Sequence, residues 1–281
     1  MIRAKIDNGT FHDASDVVSE ALRLMEERDR LDRLRAAMAF DIGARMSEAN
    51  VQRRTTEFYD QRPDDDPEYY LTIEQRAVWT DDLAGMLRRY VRPVEAGTSA
   101  RVLDVGTGRG AFAVLLAELG YNVVGIDGSE SAISKGRLLL ADEDPLVAES
   151  VSLQLVDWTE PTIRLPDNQE PGGYFDAIVS KQAACHIYDP IATFKLWASW
   201  LRRGGALIVV DGLWQRSGWT DRRIVDELPL ATVGGLGTIS YLVEQGGFRV
   251  QHRRLLARVN RDPATRGGSG PIYVLVATKR A

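Results

Sequence analysis

The stretch Val102-Leu103-Asp104-Val105-Gly106-Thr107-Gly108-Arg109-Gly110 constrains this chain more than any other. An apolar run that reads as a buried strand enters three alternate glycines, and the helix-forming run Ala111–Leu119 follows at once. Glycine serves where backbone must turn sharply or approach a ligand closely. The helix that follows presents unsatisfied N–H groups at its first turn, a ready site for a negatively charged or polar ligand. A strand, a glycine turn and a helix in that order are the opening unit of a parallel α/β sheet.

The pattern repeats. Strands are expected at Arg101–Val105, Asn122–Ile126, Val151–Val156, Phe175–Val179 and Ala206–Val210, with helices at Ala111–Leu119, Ser131–Leu140, Ile191–Leu201 and Leu236–Gln245. Such alternation predicts a mainly parallel sheet covered on both faces. Phe248–Leu256 and Ile272–Lys279 read as two successive strands with no helix between them, and pairing them as a hairpin would add one antiparallel strand. Before Ala100 the chain reads helical. Val17, Val18, Ala21, Leu22, Leu24, Met25, Leu31, Leu34 and Met38 recur at three- and four-residue intervals. Gly43 and the polar run Ser47–Thr56 suggest a hinge, Arg62–Pro67 a loop, and Trp79 to Tyr90 a second helix ended before Pro93. The expected organisation is a helical segment over 1–54 and an α/β domain over 55–281.

Bulk composition narrows the function. One cysteine in 281 residues excludes internal disulfides and a cysteine-built zinc site, and three scattered histidines argue against a histidine metal centre, so no metal is expected. A net charge of −5 is a poor match for a phosphate backbone, and no nucleic-acid partner is expected. No run of about 20 apolar residues offers a membrane span. The first residues lack a signal peptide's apolar stretch, so the cytoplasm is the expected location.

Two acids and an aromatic sharpen the reading of the glycine loop. Asp127 ends the second strand 23 positions after Asp104, where an acid can accept from both hydroxyls of a ribose. That feature, with Gly106-x-Gly108-x-x-Ala111, fits a nicotinamide dinucleotide as well as other nucleosides. Asp104, two residues before the glycines, would repel a pyrophosphate and attract a cationic ligand end such as an ammonium and a sulfonium. Asp157-Trp158 closes the third strand with an acid able to accept from an adenine amino group and a ring able to pack on it. Each also has a plainer reading, Asp157 as a loop cap and Trp158 as a half-buried core residue.

Taken in order, residues 100–212 resemble the class I S-adenosylmethionine-dependent methyltransferases. The resemblance rests on Asp104-x-Gly106-x-Gly108-x-Gly110, Asp127, Asp157, Tyr174–Ser180 and Leu201-Arg202-Arg203-Gly204-Gly205, with Arg203 where the family usually has proline. It implies a Rossmann-like α/β fold of seven strands in the order 3-2-1-4-5-7-6, strand seven antiparallel, with S-adenosyl-L-methionine as cofactor. By the same resemblance Gly106 and Gly108 flank the methionine moiety, Asp127 takes the ribose and Asp157 the adenine. Asp104, Thr107, Gly128, Trp158 and Ser180 complete the expected cofactor contacts.

On the acceptor side, the loop Ser180–Tyr188 follows the fourth strand, and His186 is its one side chain with a pKa suited to removing a proton at neutral pH. His186 could equally cap the helix starting near Asp189-Pro190 or pack beside the cofactor, because alignment alone can carry methyl transfer. Cys185 reads as a small buried residue. The segment Gln215–Val233 reads as an irregular insertion that, with Trp214 and Trp219, walls an acceptor pocket. Glu57–Asp60 and Tyr69-Tyr70 stand where many relatives of that family carry a tyrosine-bearing lid. Residues 3–40 are similar to the helices of ParD-type antitoxins but lack the DNA-reading strand ahead of them, so a possible homodimer through the seam Val17, Leu24, Leu31, Met38 is expected in place of DNA binding. The function that follows is methylation of an oxygen or nitrogen on a small molecule. The alternatives are an NAD(P)-dependent oxidoreductase and an antitoxin-like regulator with a cofactor-sensing domain.

Overall fold

A computed structural model describes residues 25, 47–61, 71–93, 97–159, 163–165, 172–214, 219, 222–232, 234–267 and 270–280. Among the described residues, helices α1 (Glu48–Asp60) and α2 (Ile73–Tyr90) precede the sheet. Strand β1 (Arg101–Val105) leads into α3 (Ala111–Glu118), β2 (Asn122–Asp127) into α4 (Glu130–Leu140) and α5 (Pro145–Glu149). Then come β3 (Val151–Leu155), β4 (Phe175–Lys181), α6 (Pro190–Trp200) and β5 (Leu201–Gly212). The chain continues through α7 (Arg222–Asp226), α8 (Pro229–Thr232), α9 (Leu236–Gln245), β6 (Phe248–Leu255), α10 (Ala257–Arg261), α11 (Pro263–Arg266) and β7 (Ile272–Lys279).

The seven strands form one sheet in the order β3-β2-β1-β4-β5-β7-β6, as the family resemblance implies. Strands β1 to β5 pair in parallel, while β7 runs antiparallel between β5 and β6. Parallel strands buried on both faces read as near-continuous apolar runs, and here they feed two cores. Leu103 and Val105 of β1 join Phe194 and Trp197 of α6 on one face. Val102 joins Trp79, Leu83 and Leu115 on the other. After Arg101, β1 is apolar on both sides except for Asp104, which places a buried acid at the carboxyl end of the strand. The loops gathered at that end hold the candidate site.

Local chemistry sets the helix starts. Thr72 and Gln75 of α2 cap each other, the Thr72 hydroxyl accepting from Gln75 N–H and the Gln75 amide oxygen accepting from Thr72 N–H. Asp189 accepts from the N–H groups of Ile191 and Ala192 and so caps α6, with Pro190 at the first helical position.

Three expectations need correction. The polar run Ser47–Thr56 is no hinge: α1 continues from Glu48 to Asp60, and the expected domain boundary between 54 and 55 falls inside it. Its inward face is Val51, Gln52 and Thr55, so an apolar periodicity could not reveal it. The strands β6 and β7 are not joined by a plain loop, since α10 and α11 lie between them; Asp82 of α2 accepts from Arg258 and Val259 N–H and fixes the first of these. At five and four residues they are too short for a helical repeat to register. The insertion after β5 is likewise not wholly irregular, because α7 and α8 occupy part of it. The antitoxin-like helices, Arg62–Pro67 and Tyr69-Tyr70 lie outside the described residues, apart from Met25.

Candidate active site

Above the carboxyl ends of β1, β2 and β4 opens a cavity of about 1040 Å³, part of it shared with solvent. Asp104, Gly106, Thr107, Gly108, Asp127, Gly128, Trp158 and His186, all expected at the site, line it together. Asp157 and Ser180 are not among the lining residues.

The glycine loop is shaped from beneath as well as from the cavity. Gly106 and Thr107 both donate their N–H to Ile126 O, at 2.9 and 3.0 Å, which ties the turn to β2. Gly106 has φ +71°, and a Cβ there would stand 2.2 Å from Ala183 Cβ, so the chain after β4 closes on this turn. Both demands are met only by glycine. Gly106→Ala is expected to cost about 2 kcal/mol or more of stability from the left-handed backbone and the clash together. Chemical denaturation of the two proteins measures it, and equal midpoints would contradict the packing described.

The acids differ in what holds them. Asp104 is buried at the end of β1, and its Oδ2 accepts from the Thr107 hydroxyl at 2.6 Å. Burial pushes its carboxyl up to about 6, with the Thr107 hydrogen bond and the Lys181 ammonium pulling back and Asp127 adding to the rise. Asp127 accepts from Gly108 N–H and Ser129 N–H, both at 2.9 Å, one on each oxygen. It thereby joins the glycine loop to the start of α4, and burial again raises its pKa. Gly128 N–H also bonds the carboxylate, so of its roughly four acceptor positions one remains for a ligand's hydroxyl. Asp157 accepts from Thr159 N–H and Oγ1 on one oxygen, which is the loop-capping geometry, and from Gln52 Nε2 at 3.4 Å. Trp158 is buried in the core and still forms one wall of the cavity. Ser180 is fully buried in β4.

Helix α1 lies across these loops. Asp60 accepts from the Ser129 hydroxyl after β2, Gln52 donates to Asp157 after β3, and Tyr59 meets His186 after β4. Thr56 packs on Gly128, where a Cβ would stand 3.5 Å from its hydroxyl. Buried Gln52 and the less buried Thr56, Tyr59 and Asp60 of α1 thus all reach the loops of the site.

His186 closes a single 3-10 turn, Ala184–His186. The turn is pinned by Asp211 at the end of β5, which accepts from Cys185 N–H at 2.9 Å and Trp214 Nε1 at 2.7 Å. His186 Nε2 and Tyr59 Oη lie 2.8 Å apart. The two rings meet edge-on with centroids 5.3 Å apart, and Trp219 meets His186 edge-on from another side at 5.2 Å. His186 does not cap α6, since Asp189 does. Cys185 is buried, as its neighbourhood suggested.

A family profile described as a methyltransferase domain matches residues 72–262. The chain belongs to that family. Among the dinucleotide and methyl-donor readings that the glycine pattern left open, the methyltransferase domain decides for the second. Phosphoethanolamine N-methyltransferase 1 of Arabidopsis thaliana is 33% identical over 126 residues, 44% of this chain and 23% of that protein. The ubiquinone biosynthesis O-methyltransferase of Xanthomonas campestris pv. campestris (strain B100) is 32% identical over 120 residues, 43% of this chain and 46% of the relative. The chain therefore spans less than half the length of these curated relatives. Among solved structures, a geranyl diphosphate C-methyltransferase from Streptomyces coelicolor A3(2) aligns over 84% of this chain and all of its own, at 14% identity and a TM-score of 0.56. A putative sarcosine dimethylglycine methyltransferase from Galdieria sulphuraria aligns over 82% and 98%, at 16% identity and a TM-score of 0.53. These likenesses establish the fold of the methyltransferase domain; their names span nitrogen, oxygen and carbon methylation.

Among the lining residues that the sequence did not assign to the site are Tyr59, Lys181 and Gln182. Tyr59 was legible only as part of an aromatic segment, because its partner stands 127 positions away. Lys181 and Gln182 follow Ser180 directly, and no motif marked them. Gln182 is, among the described residues, the one non-glycine with positive φ, at +54°. Holding an ordinary residue there costs about 1–2 kcal/mol, a cost that tends to gather at functional sites.

Proposed function

We propose that this protein transfers a methyl group from S-adenosylmethionine to an oxygen or nitrogen of a small-molecule acceptor. The observation that carries the proposal is the shared cavity, whose lining brings Asp104, Asp127 and Trp158 together with a hydrogen-bonded Tyr59–His186 pair. When bound, S-adenosylmethionine supplies an electrophilic methyl on a sulfonium sulfur. The residues present fit it: a buried acid faces the cationic end, a second keeps an acceptor position open for the ribose, and side-chain-free backbone lies between them.

The work left to the chain is orientation, dryness and one proton. Asp104 attracts the positive end of the donor in a low-dielectric setting. Asp127 orients the ribose and Trp158 packs on the base, while Asp157, outside the cavity lining, caps its own loop. Helix α1 covers the carboxyl ends of β2, β3 and β4 and keeps water from the acceptor. An acceptor hydroxyl or ammonium can give its proton to Tyr59 Oη as the Tyr59 proton passes to His186 Nε2. No base is needed beyond this pair.

The N-terminal residues 1–46 serve self-association in this reading, and the enzyme works in the cytoplasm as a homodimer. Among the described residues, no helix is long and apolar enough to cross a membrane. The 47–281 fragment, which keeps all of α1, should bind the donor as the full chain does yet sediment as a smaller species. Equal sedimentation would remove the dimer.

Incubation of the full chain with methyl-deuterated S-adenosylmethionine and a metabolite extract tests the activity. Mass spectrometry should find a metabolite that gains one labelled methyl. Donor binding without any labelled product would leave a binding protein and defeat the catalytic reading.

A further inference from the structure

Asp211, next to last in β5, is a buried acid that the chemistry above does not use. It is not among the residues that line the cavity. Its carboxyl is engaged by the chain itself. Oδ1 accepts from Gly212 N–H and Trp214 Nε1, both at 2.7 Å, and Oδ2 accepts from Cys185 N–H at 2.9 Å. The Cys185 thiol bonds the carboxyl as well. These four donors fill the roughly four acceptor positions of a carboxylate and leave none for a ligand. Burial raises the pKa of this carboxyl while the four bonds pull it back. A buried acid is costly unless hydrogen bonds compensate it, so its role lies in the groups that it gathers.

Those donors come from two segments. Cys185 belongs to the 3-10 turn after β4 that ends on His186, and Trp214 stands on the chain just after β5. His186 and Trp214 both line the cavity. Trp219 closes the circuit, its ring meeting His186 edge-on at 5.2 Å and Trp214 edge-on at 5.7 Å. Asp211 itself is set in the sheet, opposite Tyr273 in the β5–β7 register. One fixed carboxylate therefore holds two lining residues through separate oxygens, Trp214 on Oδ1 and the His186 turn on Oδ2.

We infer that Asp211 is a positioning residue of the acceptor pocket, fixing the separation of Trp214 and His186 between which the acceptor and its proton are aligned. The inference rests on the methyl-transfer reading above and adds to it the residue that sets the acceptor wall. Asparagine has the same shape but presents one acceptor oxygen and one donor nitrogen. It can satisfy one side and must face the other with an N–H, so either Trp214 or the His186 turn is released. A misplacement of about 1 Å in such a site costs on the order of 100-fold in rate.

Two measurements on the full chain test it. The first is hydrogen exchange of Asp211→Asn followed by NMR, which needs neither donor nor acceptor. The Trp214 indole N–H or the Cys185 amide should exchange at least tenfold faster than in the wild type, with the β5 amides of Ile208 and Val209 unchanged. Full protection of both groups in the variant overturns the inference. The second is methyl transfer from deuterated S-adenosylmethionine to a metabolite extract. Asp211→Asn should form labelled product at least tenfold more slowly, while its affinity for S-adenosylhomocysteine stays within twofold. Trp214→Phe, which removes one donor and keeps a ring, should slow transfer threefold or more. Added to Asp211→Asn it should slow transfer no further, because groups held by one anchor do not act independently. Trp214→Phe alone carries the test if Asp211→Asn does not fold. Unchanged transfer in either folded variant overturns the inference, and so does donor affinity that falls in step with transfer, since the carboxylate would then merely hold the fold. A wild type that binds S-adenosylhomocysteine and labels nothing defeats the methyl-transfer reading instead, and the exchange measurement then decides the anchor by itself.

Discussion

Asp104→Asn is expected to raise stability at pH 7.5 and to weaken S-adenosylmethionine binding tenfold or more. The carboxyl is buried, and desolvation lifts its pKa from 3.8 to about 6. The sign follows from linkage. A native pKa above the unfolded one means that the folded state holds the proton more tightly between pH 4 and 6. This carboxyl therefore disfavours folding least below about pH 4, and stability is lost as pH rises through 6. The full effect is of order 3 kcal/mol. Asparagine keeps an oxygen for the Thr107 hydroxyl and removes the ionisation. Thermal melts should show the variant ahead at pH 7.5 and the advantage gone at pH 4. A cationic ligand favours the ionised acid, so wild-type affinity should also fall as pH drops below about 6, with a proton released on binding. A variant that melts lower at pH 7.5 and binds the donor normally would contradict both the burial and the role given to Asp104.

Tyr59→Phe and His186→Ala are each expected to reduce turnover about 100-fold, the range for a positioned proton acceptor. Phenylalanine keeps the edge-on ring contact with His186 and removes only the hydroxyl, so its effect isolates the 2.8 Å hydrogen bond. Groups that act as a unit are strongly non-additive. The double variant should accordingly lose no more than the worse single one, and donor affinity should stay within a few-fold throughout. Losses below tenfold, or losses that multiply, would mean that the pair merely shapes the acceptor pocket and that alignment carries the reaction.

How far the site could be read in advance depended on distance along the chain. The strand, glycine turn and helix from Val102 to Ala111 are contiguous, so one stretch carried both the turn and the ligand approach. Asp104 and Asp127 were legible because each ends a strand whose apolar run points to it, and Trp158 because it follows the third strand within three residues. What lay hidden was of two kinds. Helix α1 buries Gln52 and Thr55 beside Val51, so the residue that bonds Asp157 and the one that lines the cavity looked like solvent-facing ones. The Tyr59–His186 bond and the Asp211 anchor of the 3-10 turn join segments that only the folded sheet brings together. The backbone of Gln182 was invisible for another reason: left-handed conformation is signalled in a sequence by glycine, and here a glutamine adopts it.

The central claim is that the cavity over β1, β2 and β4 is a methyl-donor site. Equilibrium titration of the full chain with S-adenosylhomocysteine and, in a parallel cell, with NAD tests it most directly, because the two share an adenosine and differ in what the glycine loop must face. Saturable one-to-one binding of S-adenosylhomocysteine is expected, at least tenfold weaker in Asp127→Ala, with no saturable binding of NAD. Saturable NAD binding, with none of S-adenosylhomocysteine, would contradict it.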